Sequence, residues 1–302
     1  MSPPQTVQND PRYGQTGAVL MLIGGISSFQ IGAALAKGLF PVFGPEGMVG
    51  LRVGLAATIL MMIWRPTRAQ LTPRVLKLLI PYGASVAIMN FCFYVALTRL
   101  PLGMTVALEF MGPLSLALSG SRRWLDLLWV VLVVGGLFFL LRPEHALGPL
   151  DPIGVGAALF SGVGWVIYIL TGTRIGKVLS PVTATSLGLA TAAFFLLPWL
   201  IPALPVAVSH PEEGVLALCV AILSSAVPYI LDMLAMRRLK PRDLGILLSM
   251  EPMLGAVSGL LLLHETLSVS RWIGVGCIVL ASAGNVLTSR TTTPIETQPP
   301  PG

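Results

Sequence analysis

Apolar residues run along this chain in long blocks, and short clusters of charged residues, proline and glycine punctuate them. A helix needs about 20 mostly apolar residues to cross roughly 30 Å of hydrocarbon. Cut at the polar punctuation, the pattern predicts ten such helices: Ala18–Phe40, Gly47–Trp64, Leu76–Leu97, Leu102–Ser119, Trp124–Leu141, Pro152–Leu170, Val182–Ile201, Gly214–Met236, Leu244–Leu263 and Trp272–Thr288. Their connectors are short, so the bundle itself accounts for the folded mass. The predicted class is an all-α polytopic membrane protein. Polar, proline-rich segments at 1–17 and 290–302 read as disordered tails. The first block is long for a signal-peptide core and carries Lys37, so it reads as an uncleaved anchor.

Composition narrows the class further. The 302 residues are 54% hydrophobic and 11% charged, against about 25% charged in an ordinary soluble domain. So little charge cannot cover a water-facing surface, which excludes a soluble enzyme, a disordered chain and a nucleic-acid binder. The formal charge of +6 follows instead from basic cytoplasmic loops. A cytoplasmic N-terminus puts Arg12, Arg65, Arg68, Arg74, Lys77, Arg122, Arg123, Arg174, Lys177, Arg237, Arg238, Lys240, Arg242 and Arg290 inside. Only Lys37, Arg99, Arg142 and Arg271 fall outside, and Arg52 lies within a block. Both termini are therefore expected in the cytoplasm. Cys92, Cys219 and Cys277 match no metal or redox spacing and read as packing residues.

The chain also repeats itself. A shift of 139 positions aligns Ala96–Gly120 with Ala235–Gly259 without a gap, matching Ala96/Ala235, Arg99/Arg238, Leu100/Leu239, Met111/Met250, Pro113/Pro252, Ala117/Ala256, Ser119/Ser258 and Gly120/Gly259. Each half, 18–141 and 152–289, holds five predicted spans. Five is odd, so the second half enters the membrane with the opposite orientation. Inverted repeats of this kind build secondary transporters, with the binding site near the midplane. Small residues at four-residue spacing (Gly24, Ser28, Gly32 and Ala36; Gly50 and Gly54; Gly154, Ala158 and Gly162; Gly255 and Gly259) predict close helix crossings.

Four ionisable residues fall well inside spans: Arg52, Glu109, Asp232 and Glu251. Insertion scales put each at about 2.5–3.5 kcal/mol at a helix centre, so they should face the bundle interior. Glu109 and Glu251 sit near the middles of spans four and nine. Pro113 disturbs the carbonyl of Glu109, Pro252 follows Glu251 directly, and Pro228 frees the carbonyl of Ser224. Broken helices at the midplane expose backbone groups to a cavity. Arg52 reads either as a carboxylate-orienting residue or as half of a permanent ion pair. Glu109 and Glu251 read as proton or ammonium sites, or as structural pairs; Asp232 has the option of pairing with Arg237 or Arg238. Gln30, Asn90, Tyr94, Trp165, Tyr168 and Tyr229 are candidates to complete a pocket with Phe29. Trp124, Trp129, Trp199 and Trp272 lie nearer span ends, as belt residues do. Lys37 is expected to snorkel towards the headgroups.

Signatures of other chemistry are absent. His264-Glu265 continues as Thr266-Leu267-Ser268 rather than a zinc motif, and there is no nucleophile elbow, P-loop or dinucleotide fingerprint. No metal, cofactor or enzymatic activity is expected. Gly32-Ala33-Ala34-Leu35-Ala36-Lys37, Leu51-Arg52, Pro101-Leu102-Gly103, Val106-Ala107-Leu108-Glu109-Phe110, Ser121-Arg122-Arg123, Ile167-Tyr168-Ile169-Leu170 and Ser249-Met250-Glu251-Pro252 together resemble the EamA-type transporters of the drug/metabolite transporter superfamily. The likeness is strongest to the branch that exports threonine and homoserine. It implies ten spans in two inverted five-span repeats, a bacterial inner-membrane location, and proton-driven export of small hydrophilic amino acids by alternating access. It leaves room for a homodimer. At Leu231-Asp232-Met233 the branch carries glutamate, so the carboxylate here is drawn back by one methylene. Export of other metabolites or of hydrophobic cations is the alternative on the same fold.

Overall fold

The structure is a computed structural model and describes residues 11–67, 71–119, 124–142, 150–228, 231 and 247–288. Among them nearly every residue is helical and none is in a strand. The helices are α1 (Pro11–Gly38), α2 (Phe40–Trp64), α3 (Pro73–Leu97), α4 (Leu102–Ser119), α5 (Trp124–Leu141), α6 (Pro152–Ile175), α7 (Pro181–Phe195), α8 (Leu197–Ser209), α9 (Pro211–Ala221), α10 (Glu251–Leu263) and α11 (Val269–Thr288). A π-helical turn, Ile222–Ala226, extends α9. Residues 11–17 belong to α1, so that part of the expected tail is helical. Residues 1–10 and 289–302 lie outside the described residues.

Local chemistry accounts for the ends. Thr72, Asp151 and Ser180 cap α3, α6 and α7, each accepting a backbone N–H, with proline in the first turn. Gly44, at φ 67°, separates the first turn of α2 from the span proper, and Pro45 restarts the helix. Among the described residues five helices are long and apolar enough to cross a membrane: Thr16–Gly38, Phe40–Trp64, Pro73–Leu97, Pro152–Ile175 and Val269–Thr288. The expected seventh span is instead a broken pair, Val182–Phe195 and Leu197–Ser209, bent by 85°. Pro198 opens the second arm, and Pro202 and Pro205 continue it. Leu102–Leu116, Leu127–Leu141 and Glu251–Leu263 are apolar but shorter.

The three proline sites behave differently. At Pro113 the helix continues without a break. Before Pro228 the strain appears as the π-turn, in which Val227 donates to the Ile222 carbonyl. At Pro252 the expected ninth span breaks, with Ser249 and Met250 in a turn and α10 starting at Glu251.

Packing follows a definite pairing. α2 lies against α7 and α8, α4 against α10, and α5 against α11; α3 packs on α6 and α7, and α1 on α9 with its π-turn. α4 also crosses α6, as α1 crosses α10. Glycines set the closest approaches: Gly112 and Gly162 bring the backbones of α4 and α6 together, Gly136 and Gly274 those of α5 and α11, Gly32 meets Ser224, and Gly50 meets Leu200. The central core gathers Met48, Leu51, Phe93, Tyr94, Leu97 and Val106.

Candidate functional site

α2, α3 and α1 together bury Arg52, 2% exposed. Asn90, one turn before Tyr94 on α3, donates Nδ2 to the Val86 carbonyl at 2.7 Å. That bond fixes its amide and turns Oδ1 towards Arg52, which donates from Nη2. The guanidinium carbon lies 5.5 Å from the Phe29 ring and 5.2 Å from that of Tyr94, close enough for cation–π attraction. Arg52 Nε and Nη1, the Tyr94 hydroxyl and Gln30 Oε1 are all buried without a hydrogen-bond partner. Burying donors unpaired is costly, so the Arg52 cluster is chemically incomplete: it offers positive charge and a free O–H, while the unpaired Gln30 oxygen lies apart from it, on the side of α1 that meets Gly255 of α10.

Glu109 forms a second centre at the α4–α6 crossing and is 6% exposed. Pro113 has no N–H to give its carbonyl, and Gly162 supplies the backbone that packs there: a Cβ at that position would stand 2.5 Å from the Glu109 oxygen. Ser161 Oγ lies 2.6 Å from Glu109 Oε1 and 2.7 Å from the Met89 carbonyl. A serine hydroxyl has one hydrogen. That hydrogen has two acceptors within reach, Glu109 Oε1 and the Met89 carbonyl. Neither of the ion pairs among the described residues involves Glu109 or Arg52.

Glu251 stands at the start of α10, half-buried, and its carbonyl accepts a long 3.5 Å bond from Gln30 Nε2. α4 and α10 are antiparallel: Leu102 meets Gly259, Gly103 meets Ala256 and Val106 meets Gly255. One further turn of the same register sets Glu109 level with Glu251. Gln30 approaches Gly255 as well, so α1, α4 and α10 converge there.

A family model for the EamA-like transporter family matches residues 152–287. The chain is 43% identical over 274 residues to the threonine/homoserine exporter RhtA of Escherichia coli K12, covering 90% of this chain and 92% of that protein. The Salmonella typhimurium LT2 exporter of the same name is 42% identical over 272 residues, with the same two coverages. The chain belongs to the EamA-like transporter family. An Archaeoglobus fulgidus protein called an uncharacterized transporter is 28% identical over 206 residues, 65% of this chain and 72% of that one. A crystal structure superposes with a TM-score of 0.60 at 17% identity, covering 90% of this chain and 97% of that chain, and shares the fold.

In this EamA-like transporter the other expected site residues divide. Arg52, Asn90 and Tyr94 share one neighbourhood, Gln30 meets Glu251 and Gly255 where α1 crosses α10, and Glu109 and Glu251 lie level. Trp165 packs edge-on against Phe110, 5.8 Å between rings, next to Glu109 in sequence. Tyr168 lies two turns from Ser161 and stacks on Tyr82 at 5.2 Å, so it serves the α3–α6 seam. Asp232 and Tyr229 lie outside the described residues.

Several polar contacts carried no sequence signal. Lys37 does not snorkel; its Nζ pairs with Glu265 Oε1 at 2.6 Å and donates to the Leu100 carbonyl at 3.1 Å. Glu265 Oε2 in turn accepts the Leu102 N–H at 2.7 Å. One carboxylate thus ties α1, the α3–α4 turn and the end of α10. Arg99 donates to Asp151 at 2.5 Å, tying the same turn to α6. Its hydrogen bond, with that of the Ile153 N–H, holds the Asp151 carboxyl below its ordinary value of 3.8. Arg271, expected in an outer loop, is 3% exposed within α11.

Proposed function

We propose that this transporter is a secondary active exporter of small hydrophilic amino acids, threonine and homoserine foremost, working by proton antiport across a bacterial inner membrane with both termini cytoplasmic. The observation that carries the reading is the incomplete polar cluster around Arg52. Its unpaired donors, with the Tyr94 hydroxyl, suit a carboxylate, while the Gln30 oxygen and the carboxylates of Glu109 and Glu251 suit an ammonium. A zwitterion satisfies both. Arginine is permanently charged, so the same centre repels hydrophobic cations and argues against drug export. The substrate assignment draws on the name of the Escherichia coli and Salmonella relatives, which match over nine-tenths of both chains.

Two features support the mechanism. Glu109 is buried with no ion pair among the described residues, so its carboxyl is a natural carrier for the exchanged proton. The pairing of helices supports two inverted five-span repeats: under that reading α2 with α7–α8, α4 with α10, and α5 with α11 are each a span against its own counterpart. α3 on α6 then mirrors α9 on α1, and α4 on α6 mirrors α10 on α1. In the proposed cycle the Lys37–Glu265 and Arg99–Asp151 ties close the periplasmic end, and they part as the halves rock about the π-turn before Pro228 and the break before Pro252. Substrate leaves outward as a proton enters at Glu109.

Carboxylate recognition is directly testable. Threonine should raise the unfolding temperature of the purified protein, whereas the amino alcohol that lacks only its carboxylate should not. Equal stabilisation by both compounds would remove Arg52 from substrate binding.

A further inference from the structure

A cleft of about 500 Å³ opens where the first turn of α3 meets the end of α6, lined by Pro73, Arg74, Lys77, Leu78, Arg174, Lys177 and Val178. Four cations converge on it from two separate segments. All four are exposed, and neither ion pair among the described residues involves them. No acidic residue occurs anywhere in α3, α6 or α7, so none of the helices around the cleft offers a countercharge. Basic residues at a cytoplasmic helix end are ordinary; four of them gathered around one concave site repel one another until an anion is shared between them.

The surroundings specify what kind of anion. Between the cations the lining is apolar, Pro73, Leu78 and Val178, and Leu78 packs against the buried cluster of Val75, Leu79, Ile175 and Leu179. Beside it, Leu76 and Ile80 on α3 and Leu170 on α6 are exposed at 41%, 54% and 45%. Leu76 and Ile80 share a face one turn apart, as do Leu170 and Arg174. A ligand with a phosphate for the rim and an alkyl chain for the apolar flank matches both surfaces, and basic pockets between membrane helices recognise anionic headgroups in this way.

We infer that the α3–α6 cleft is a binding site for an anionic phospholipid, its phosphate held by Arg74, Lys77, Arg174 and Lys177. The inference rests on the reading that this chain spans the membrane, and the occupant comes from the leaflet that the basic helix ends face. Because α3 carries Asn90 and Tyr94, which contact Arg52, and α6 carries Ser161, which contacts Glu109, the lipid pins together one supporting helix of each polar centre.

Native mass spectrometry of the purified, delipidated protein, offered equal amounts of phosphatidylglycerol and phosphatidylcholine, tests the site. The wild type should retain phosphatidylglycerol preferentially. Each cation near an anionic surface contributes about a fivefold preference, so Lys77→Gln/Arg174→Gln should largely abolish it. Lys77→Arg/Arg174→Lys should keep the preference, and so should Arg142→Gln, which removes a charge at the end of α5. Equal retention of both lipids by the wild type, or equal loss in Arg142→Gln, would overturn the site. Displacement of the lipid by excess inorganic phosphate would overturn the lipid and leave a small-anion site. The spectrometer is blind to sidedness, so thiol labelling of Lys177→Cys in intact cells tests the assumed orientation separately.

Discussion

Arg52 is buried in a manner that stability alone does not justify, and replacing it by methionine separates its two roles. The native side chain gains one hydrogen bond to Asn90, which for a charged group contributes about 1.5–3 kcal/mol. It gains two ring contacts at 5.5 and 5.2 Å, each worth about 0.5–2 kcal/mol. Against this stand a desolvation penalty of several kcal/mol for a buried ion and two unpaired N–H groups, at about 1–3 kcal/mol each. The costs match or exceed the gains. Arg52→Met alone strands the Asn90 oxygen, at a further cost of about 1–3 kcal/mol, so the unfolding temperature in detergent should fall by no more than roughly 10 °C. Arg52→Met/Asn90→Leu removes that orphan and should melt close to wild type. Threonine export should vanish in both variants. Failure of the double variant to fold would make Arg52 a structural residue, and export by either variant would refute its place in the site.

Other consequences are as specific. Gly162→Ala sets a Cβ 2.5 Å from the Glu109 carbonyl oxygen, closer than the 3.0 Å that real contacts respect, and should destabilise by about 1–3 kcal/mol. Gly135→Ala, with open space around it, should be neutral or stabilising, as thermal unfolding of the pair would show. Lys37→Met removes the cation shared by Glu265 and the Leu100 carbonyl, and should accelerate threonine counterflow by loosening the closed end. The depressed Asp151 titration adds stability that is fully present above its ordinary value and fades as pH falls below it. Asp151→Asn should therefore leave the pH profile of export between pH 5 and 8 unchanged. Glu109→Gln should flatten that profile.

Most helices were legible because membrane burial writes itself as uninterrupted apolar length. α4 begins and α5 ends where the sequence predicts, and α3, α6 and α11 start at most three residues earlier. The seventh span reads as continuous because hydropathy ignores backbone donors, whereas Pro198 removes one, while the break in the ninth was legible from Pro252 itself. Pro113 shows the converse: a proline needs no break where Gly162 lets a neighbouring backbone cover the freed carbonyl. The polar centre around Arg52 followed from the expense of charge in lipid. The partner of Lys37 did not, because Glu265 lies 228 positions away and nothing local distinguishes a snorkelling lysine from a paired one. Tyr168 sits near the right depth but belongs to the Tyr82 stack, a distinction that depends on the rotation of α6 rather than on residue type.

Proton coupling through Glu109 is the central claim, and the decisive measurement is labelled-threonine uptake into proteoliposomes whose interior is more acidic than the bath. In an antiporter, protons leaving down their gradient drive threonine inward, so the wild type should concentrate it. Glu109→Gln keeps a partner for Ser161 but holds no exchangeable proton, and should only equilibrate threonine across the bilayer. Accumulation by Glu109→Gln at the wild-type level, or a wild type indifferent to the gradient, would contradict the account.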